Sequence, residues 1–246
     1  MSLLLYATLI ASQALQATGL MVVKEGELNR PVSTITIVAH RGSTYYLFTA
    51  SHSVEDSKGV TGTYYFAPQG NDKALQELHL VAAGECTYVR IAADFSCPDD
   101  FAVFSFESPD RHTFVPLADA QKIALGASVG YAGFPGMYGL VWAVGTMAGR
   151  RVDGVLLHPP LWPYDFVASI ADGPGASGSS LIDLQQGKVV GVLNGEEDYL
   201  KGLVSFFPVD AKLLDDVLTG RNMEGLVYKS HSTEGKNGNA EARSLH

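Results

Sequence analysis

The sequence predicts an all-β protein of two similar six-stranded antiparallel β-barrels, joined by a connector and closed by one C-terminal helix. Three observations lead there. Short runs rich in Val, Ile, Thr, Tyr and Phe recur along the chain and read as strands. The 26 Gly and 11 Pro supply turns between them. The strand candidates also fall into a set of six and a set of seven, on either side of a segment without strand pattern. A chain of 246 residues suits an all-β unit of this size and is long enough to bury two small cores.

The elements follow in chain order. Leu3 to Ile10 is a largely apolar run, but no Lys or Arg precedes Lys24, so the basic flank of a signal peptide is missing. Ser12, Gln13 and Gln16 make it too short and too polar for a standard membrane span. Residues 1–17 therefore read as either a short helix or a leader. The first barrel is expected over 18–120, from Leu20 to Lys24, Ser33 to His40, Thr44 to Ala50, Tyr64 to Ala67, Leu78 to Ala83 and Phe101 to Phe106. Arg41-Gly42-Ser43 is a hairpin turn between the second and third of these. Phe101 to Phe106 is almost continuously apolar, as in a strand covered on both faces. Pro109 to Leu125 is the connector.

The second barrel and its closing helix are expected over 121–220. The strands are Ser128 to Ala132, Leu140 to Met147, Gly154 to Leu157, Phe166 to Ile170, Ser180 to Leu184, Lys188 to Leu193 and Leu203 to Phe207, one more than a six-stranded barrel needs. Asp210 as N-cap, an apolar stripe of Leu213, Leu214, Val217 and Leu218, and Gly220 as stop define the helix. Residues 221–246 read as a mostly disordered tail, and those after Tyr228 carry no apolar stripe that could pack on a core.

Composition narrows the function. Hydrophobic residues make up 46% of the chain and charged ones 17%, which fits a packed globular protein. The net charge is −9 and no Lys/Arg cluster occurs, which argues against a nucleic-acid partner. Cys86 and Cys97 lack zinc spacing and read either as free thiols or as one short bridged loop.

Three stretches carry chemistry. Asp172-Gly173-Pro174-Gly175-Ala176-Ser177-Gly178-Ser179-Ser180 crowds glycines around a serine, where a chain can turn tightly and expose N–H groups. Ser177 is the candidate nucleophile, and the N–H groups of Gly175 and Ser177 are candidates for an oxyanion hole. Thr49-Ala50-Ser51-His52 places His52 at the end of a strand, as a candidate general base. Pro98-Asp99-Asp100-Phe101 places a carboxylate directly before a buried strand. Asp100 is the candidate that orients the histidine, with Asp99 as the neighbour to be told apart from it.

In order, these blocks resemble the trypsin-like peptidases, most of all the bacterial high-temperature-requirement branch. That branch shows Thr-Ala-x-His, then Asp-hydrophobic-Ala-hydrophobic, then Gly-x-Ser-Gly. Here the blocks are Thr49 to His52, Asp100 to Val103 and Gly175 to Gly178, with 48 residues between histidine and aspartate positions and 77 between aspartate and serine. Gly130 to Gly136, Val189 to Val192 and Gly202 to Asp210 resemble flanking segments of the same family, so the likeness covers roughly Thr18 to Leu218. It implies a chymotrypsin-like fold, a Ser177–His52–Asp100 triad, an acyl-enzyme, a protein or peptide substrate, and no cofactor or metal. Gly178-Ser179-Ser180 departs from the branch and is similar to RNA-virus proteases of this fold. A viral polyprotein protease and an inactive peptide-binding module are therefore the alternatives. The compartment is left open between export (secreted or periplasmic) and the host cytoplasm for a viral chain; a membrane partner is not expected, and the oligomeric state is not read from the residues.

By the same resemblance, the side chain before the scissile bond would lie between Ser169 to Gly173 and Val192 to Gly195. The lining residues are then Ala171, Asp172, Val192, Leu193 and Asn194, with Ala171 at the base and Leu193 narrowing the site. The expected preference is for small or medium apolar residues.

Overall fold

The computed structural model describes residues 3–55, 62–84, 87–89, 94–96, 99–137, 139–150, 166–196, 202–220 and 226–229. The apolar N-terminal run is part of helix α1, Leu3–Ala17. Ile10, Ala14 and Ala17 recur at helical spacing and are buried, which fastens α1 to the protein. Among the described residues no helix is long and apolar enough to cross a membrane.

The helix leads directly into β1 (Thr18–Glu25), followed by β2 (Leu28–Arg41) and β3 (Thr44–Thr49). Gly42 turns the β2–β3 hairpin at φ 62°, a conformation that favours glycine. A short helix α2 (Ser51–Glu55) follows, then β4 (Thr63–Pro68), β5 (Gln76–Glu77) and β6 (His79–Gly84). β7 (Thr87–Val89) and β8 (Asp94–Ser96) form a separate two-stranded hairpin, and Cys86 and Cys97 lie outside the described residues. β9 (Ala102–Glu107) completes this half.

The first sheet runs β6-β9-β3-β2-β1-β4-β5, so it is open in its hydrogen bonding where a closed barrel was expected. Its two ends are nevertheless joined by the chain itself. Only Leu78 separates β5, which pairs with β4, from β6, which pairs with β9. The Leu78 N–H donates to the Tyr64 carbonyl at 2.9 Å across this corner. Met21, Ile35, Ile37, Leu47, Phe66, Leu78, Phe104 and Phe106 fill the curled interior.

The second half holds β10 (Ser128–Gly133), β11 (Val141–Arg150), β12 (Phe166–Ser169), β13 (Ser180–Asp183), β14 (Lys188–Glu196) and β15 (Val204–Pro208). These close into a barrel in the order β10-β11-β12-β15-β14-β13. Val129, Tyr131, Met147, Phe166, Leu181 and Phe206 pack inside it. The seventh strand candidate, Gly154 to Leu157, lies outside the described residues.

Helix α3 (Ala211–Thr219) follows β15. The Asp210 carboxylate accepts from the Leu213 N–H at 2.7 Å, and Gly220 ends the helix at φ 69°. Leu214 and Val217 sit in a third core with Val38, Phe48 and Val103 of the first sheet and Ile182, Val189 and Val192 of the second barrel. The helix therefore joins both halves, and the shared core fixes how they pack on each other.

Within the stretch expected as a tail, Leu226–Lys229 forms a further strand, β16, on the free edge of β6, with Tyr228 opposite Ala83 and Lys229 opposite Ala82. Residues 230–246 lie outside the described ones. A chain ending at Gly220 loses this ladder. At about 0.5–1.5 kcal/mol net per hydrogen bond and about 2–4 °C per kcal/mol for a chain of this size, it is expected to melt several degrees below the full chain. A chain ending at Lys229 keeps the ladder and is expected to melt with the full chain; scanning calorimetry of the two truncations checks this.

Candidate active site

β3 and β9 run antiparallel with Thr49 opposite Ala102. His52 lies three residues beyond Thr49 and Asp100 two residues before Ala102, so sheet register alone brings both to one end of the pair. The Asp100 side chain is fully buried. Its Oδ2 accepts from His52 Nδ1 at 2.7 Å, and its Oδ1 accepts from the His52 backbone N–H at 2.9 Å and from Ser51 Oγ at 3.0 Å. The neighbouring Asp99 uses its backbone carbonyl here, accepting from the Phe101 N–H at 2.8 Å.

Burial pushes the Asp100 carboxyl up. Attraction to His52, and the hydrogen bonds from His52 and Ser51, more than offset this and hold it below the ordinary carboxylate value. An ionised carboxylate only accepts, so Nδ1 carries the histidine proton and Nε2 is the basic nitrogen. The ring is 16% exposed.

The serine loop is bound almost atom by atom. The Pro174 carbonyl accepts from the Gly136 N–H, the Gly175 carbonyl from Thr34 Oγ1, the Ala176 carbonyl from the Ser179 N–H and the Ser177 carbonyl from the Thr34 N–H. On the donor side, the Ala176 N–H goes to Gly173 and the Gly178 N–H to Leu193. From Gly175 to Gly178, the two N–H groups left without a partner among the described residues are those of Gly175 and Ser177. Both glycines are required. Gly175 has φ 96° and Gly178 φ 86°, and a Cβ on Gly178 would stand 2.1 Å from the Thr34 carbonyl oxygen and 2.2 Å from Thr49 Oγ1. That close approach sets the residue after Ser177 against the strand that ends in the His52 segment.

Ser177 is half-buried, whereas Ser179 and Ser180 are fully buried. The Ser177 hydroxyl donates to the Asn194 carbonyl at 2.9 Å. Asn194 is the extra residue of a bulge in β14, between the pairs Leu193–Phe206 and Gly195–Ser205, which frees its carbonyl from the ladder.

The other expected lining residues are placed as follows. Ala171 is exposed and its carbonyl accepts from the Tyr131 hydroxyl at 2.8 Å. Asp172 is half-buried beside Tyr131, whose phenol is pushed up by burial and then by the Asp172 charge. Val192 packs in the core shared by the two halves and Leu193 inside the second barrel. Both side chains are buried, so what this strand offers the serine is backbone. Two participants were not singled out from the sequence: Thr34, and the Asn194 carbonyl as a partner of Ser177. Neither has a local signal, because each acts through contacts set by sheet register. Among the described residues no group of three or more His, Cys, Asp or Glu side chains is placed to hold a metal ion.

A family model described as "Trypsin-like peptidase domain" matches residues 34–192. No curated protein sequence matches the chain. Among solved structures, the HtrA-type protease AlgW with a tripeptide superposes with a TM-score of 0.62 at 18% identity, covering 87% of this chain and 64% of that one. AlgW with a decapeptide gives a TM-score of 0.62 at 17% identity, covering 87% and 67%. A serine endoprotease from Yersinia pestis gives 0.59 at 17% identity, covering 87% and 65%. The chain thus spans roughly two thirds of these longer structures, and at such identities the likeness speaks for the fold.

Proposed function

Since the chain belongs to the family of trypsin-like peptidase domains, we propose that it is a serine endopeptidase acting through Ser177, His52 and Asp100. The observation that carries this reading is the buried Asp100 carboxylate 2.7 Å from His52 Nδ1, with the serine loop packed against the strand that leads to His52 and the N–H groups of Gly175 and Ser177 without a partner among the described residues. Ser177 Oγ attacks the peptide carbonyl carbon while His52 Nε2 takes the hydroxyl proton. To do so the hydroxyl turns from the Asn194 carbonyl toward the imidazole. Asp100 holds the imidazole in its tautomer and stabilises the imidazolium. The Gly175 and Ser177 N–H groups donate to the oxygen as it gains charge. The C–N bond breaks as His52 returns the proton to the leaving amine, and water then cleaves the Ser177 ester by the same route.

The substrate is read as protein or peptide. AlgW, a protease of the same fold, is known in structures with a tripeptide and with a decapeptide, which supports that reading. The segments flanking the serine supply Ala171 and Asp172 on one side and the β14 backbone on the other. Cleavage is expected after small or medium apolar residues, with modest discrimination, because one methylene is worth only about 1–3 kcal/mol in such a site. A peptide-library digest, with and without prior fluorophosphonate treatment, tests both parts. Apolar-directed products that vanish on treatment are expected. Dominant cleavage after Lys or Arg would place the Asp172 charge in the specificity site. Peptide binding without products or labelling would sink the enzyme reading in favour of a binding module.

A further inference from the structure

Thr34 is a β2 residue of the first sheet, fully buried, yet its contacts lie mostly in the other half of the molecule. Its N–H donates to the Ser177 carbonyl at 3.0 Å and its hydroxyl donates to the Gly175 carbonyl at 2.9 Å. The same hydroxyl accepts from the Phe134 N–H at 3.1 Å, and the Thr34 carbonyl accepts from Thr49 Oγ1 at 2.7 Å. Four hydrogen bonds thus tie one residue to the serine loop, to the Phe134–Met137 turn and to the strand leading to His52. We propose that the Thr34 hydroxyl is a positioning group for the oxyanion-binding N–H groups, a role that rests on the endopeptidase reading.

In a trans peptide the C=O and N–H point in opposite directions, so gripping one aims the other. The Gly175 N–H shares its plane with the Pro174 carbonyl, which the Gly136 N–H holds. The next plane, between Gly175 and Ala176, is held by Thr34 Oγ1 at its carbonyl and by the Gly173 carbonyl at its N–H. Gly175 is the hinge between these planes. At φ 96° it has the rotational freedom that only glycine has, so nothing intrinsic to the residue stops its planes from turning. The Thr34 hydroxyl adds a restraint from the other half of the molecule, beside those from Gly136 and Gly173. It also couples the two loops, because the Phe134–Met137 turn that bears Gly136 is bound at its start by the same oxygen. Without the hydroxyl, the half-buried Gly175 carbonyl and the buried Phe134 N–H both lose their partner, and the loop gains by rotating to satisfy them.

Thr34→Val keeps the shape and removes only the hydroxyl, whereas Thr34→Ser keeps the hydroxyl. Both variants are assayed on a chromogenic peptide ending in Val or Ala, with kcat referred to sites titrated by fluorophosphonate, so that misfolded enzyme does not count. Loss of one oxyanion donor outright costs about 10²–10³ in kcat. Thr34→Val is expected to lose at least about tenfold in kcat per titrated site with KM within about threefold, and to slow labelling in parallel. Thr34→Ser is expected to stay within about threefold of wild type. A merely structural role would lower the number of titratable sites and the melting temperature but leave kcat per site unchanged, which overturns the proposal. So does a Thr34→Ser variant that falls as far as Thr34→Val. Should Thr34→Val not fold, Thr34→Ala against Thr34→Ser gives the same contrast. A wild-type chain that neither hydrolyses nor labels at Ser177 refutes the endopeptidase reading itself, whereas an active wild type with a fully active Thr34→Val refutes only the role of Thr34.

Discussion

Ser177→Ala is expected to lower kcat by about 10⁶, the loss seen when the nucleophile of a related triad enzyme is removed. The size follows from the chemistry: without Oγ no acyl-enzyme forms, and what remains is binding plus two N–H donors facing a carbonyl that water must attack unaided. The serines nearby are the decisive controls. Ser179 and Ser180 are 0% and 1% exposed, and their hydroxyls have no partner among the described residues, so neither presents an oxygen to a substrate. Ser179→Ala and Ser180→Ala should therefore keep kcat within about tenfold of wild type. Product formation from the peptide library and fluorophosphonate labelling, with the adduct mapped by mass spectrometry, read all three variants. A label on Ser179, or an active Ser177→Ala enzyme beside a dead Ser179→Ala one, would overturn the assignment.

How far the sequence could be read depended on the range of the interactions involved. Strand runs, the Gly42 turn and the Asp210 and Gly220 caps are local chemistry, and within the described residues the structure has them where the sequence implies them. The His52 and Asp100 blocks were legible because each sits directly at a strand end, so antiparallel pairing of β3 with β9 suffices to bring them together. Features that depend on register were not legible. The bulge that frees the Asn194 carbonyl shifts pairing by one residue, and composition carries no mark of it. Leu193, expected to narrow the specificity site, faces the second barrel for the same reason. The corner at Leu78 puts Gln76 and Glu77 on β4 and the run from His79 onward on β9. Thr34 meets Gly175 across 141 positions of chain, a contact that only the packing of two halves creates. β16 is four residues long and adjoins a polar stretch, so its pairing on β6 outweighed a weak local signal.

Asp100→Asn is expected to lower kcat by about 10⁴ while Asp99→Asn stays within about threefold of wild type. Asp100 accepts from Ser51 Oγ and from both the backbone N–H and Nδ1 of His52, and as a carboxylate it offers no proton in return. An asparagine in the same place turns its NH₂ toward Nδ1, which must then accept. The ring proton moves to Nε2, and the atom that should take the Ser177 proton is no longer basic. The geometry survives and the chemistry fails, so KM should change little. The same substitution has a pH signature whose sign is fixed by the lowered Asp100 pKa. A carboxyl held below its ordinary value of 3.8 in the folded chain adds stability that is fully present above that value and is lost as pH falls through the folded pKa. The melting temperature of wild type should therefore fall, relative to that of Asp100→Asn, as pH drops from about 5 to below about 4. Melting curves of both proteins across that range, read beside kcat, separate the two residues. Equal and mild losses from Asp99→Asn and Asp100→Asn, with no acid-dependent difference in melting, would show that the buried carboxylate does not orient the base.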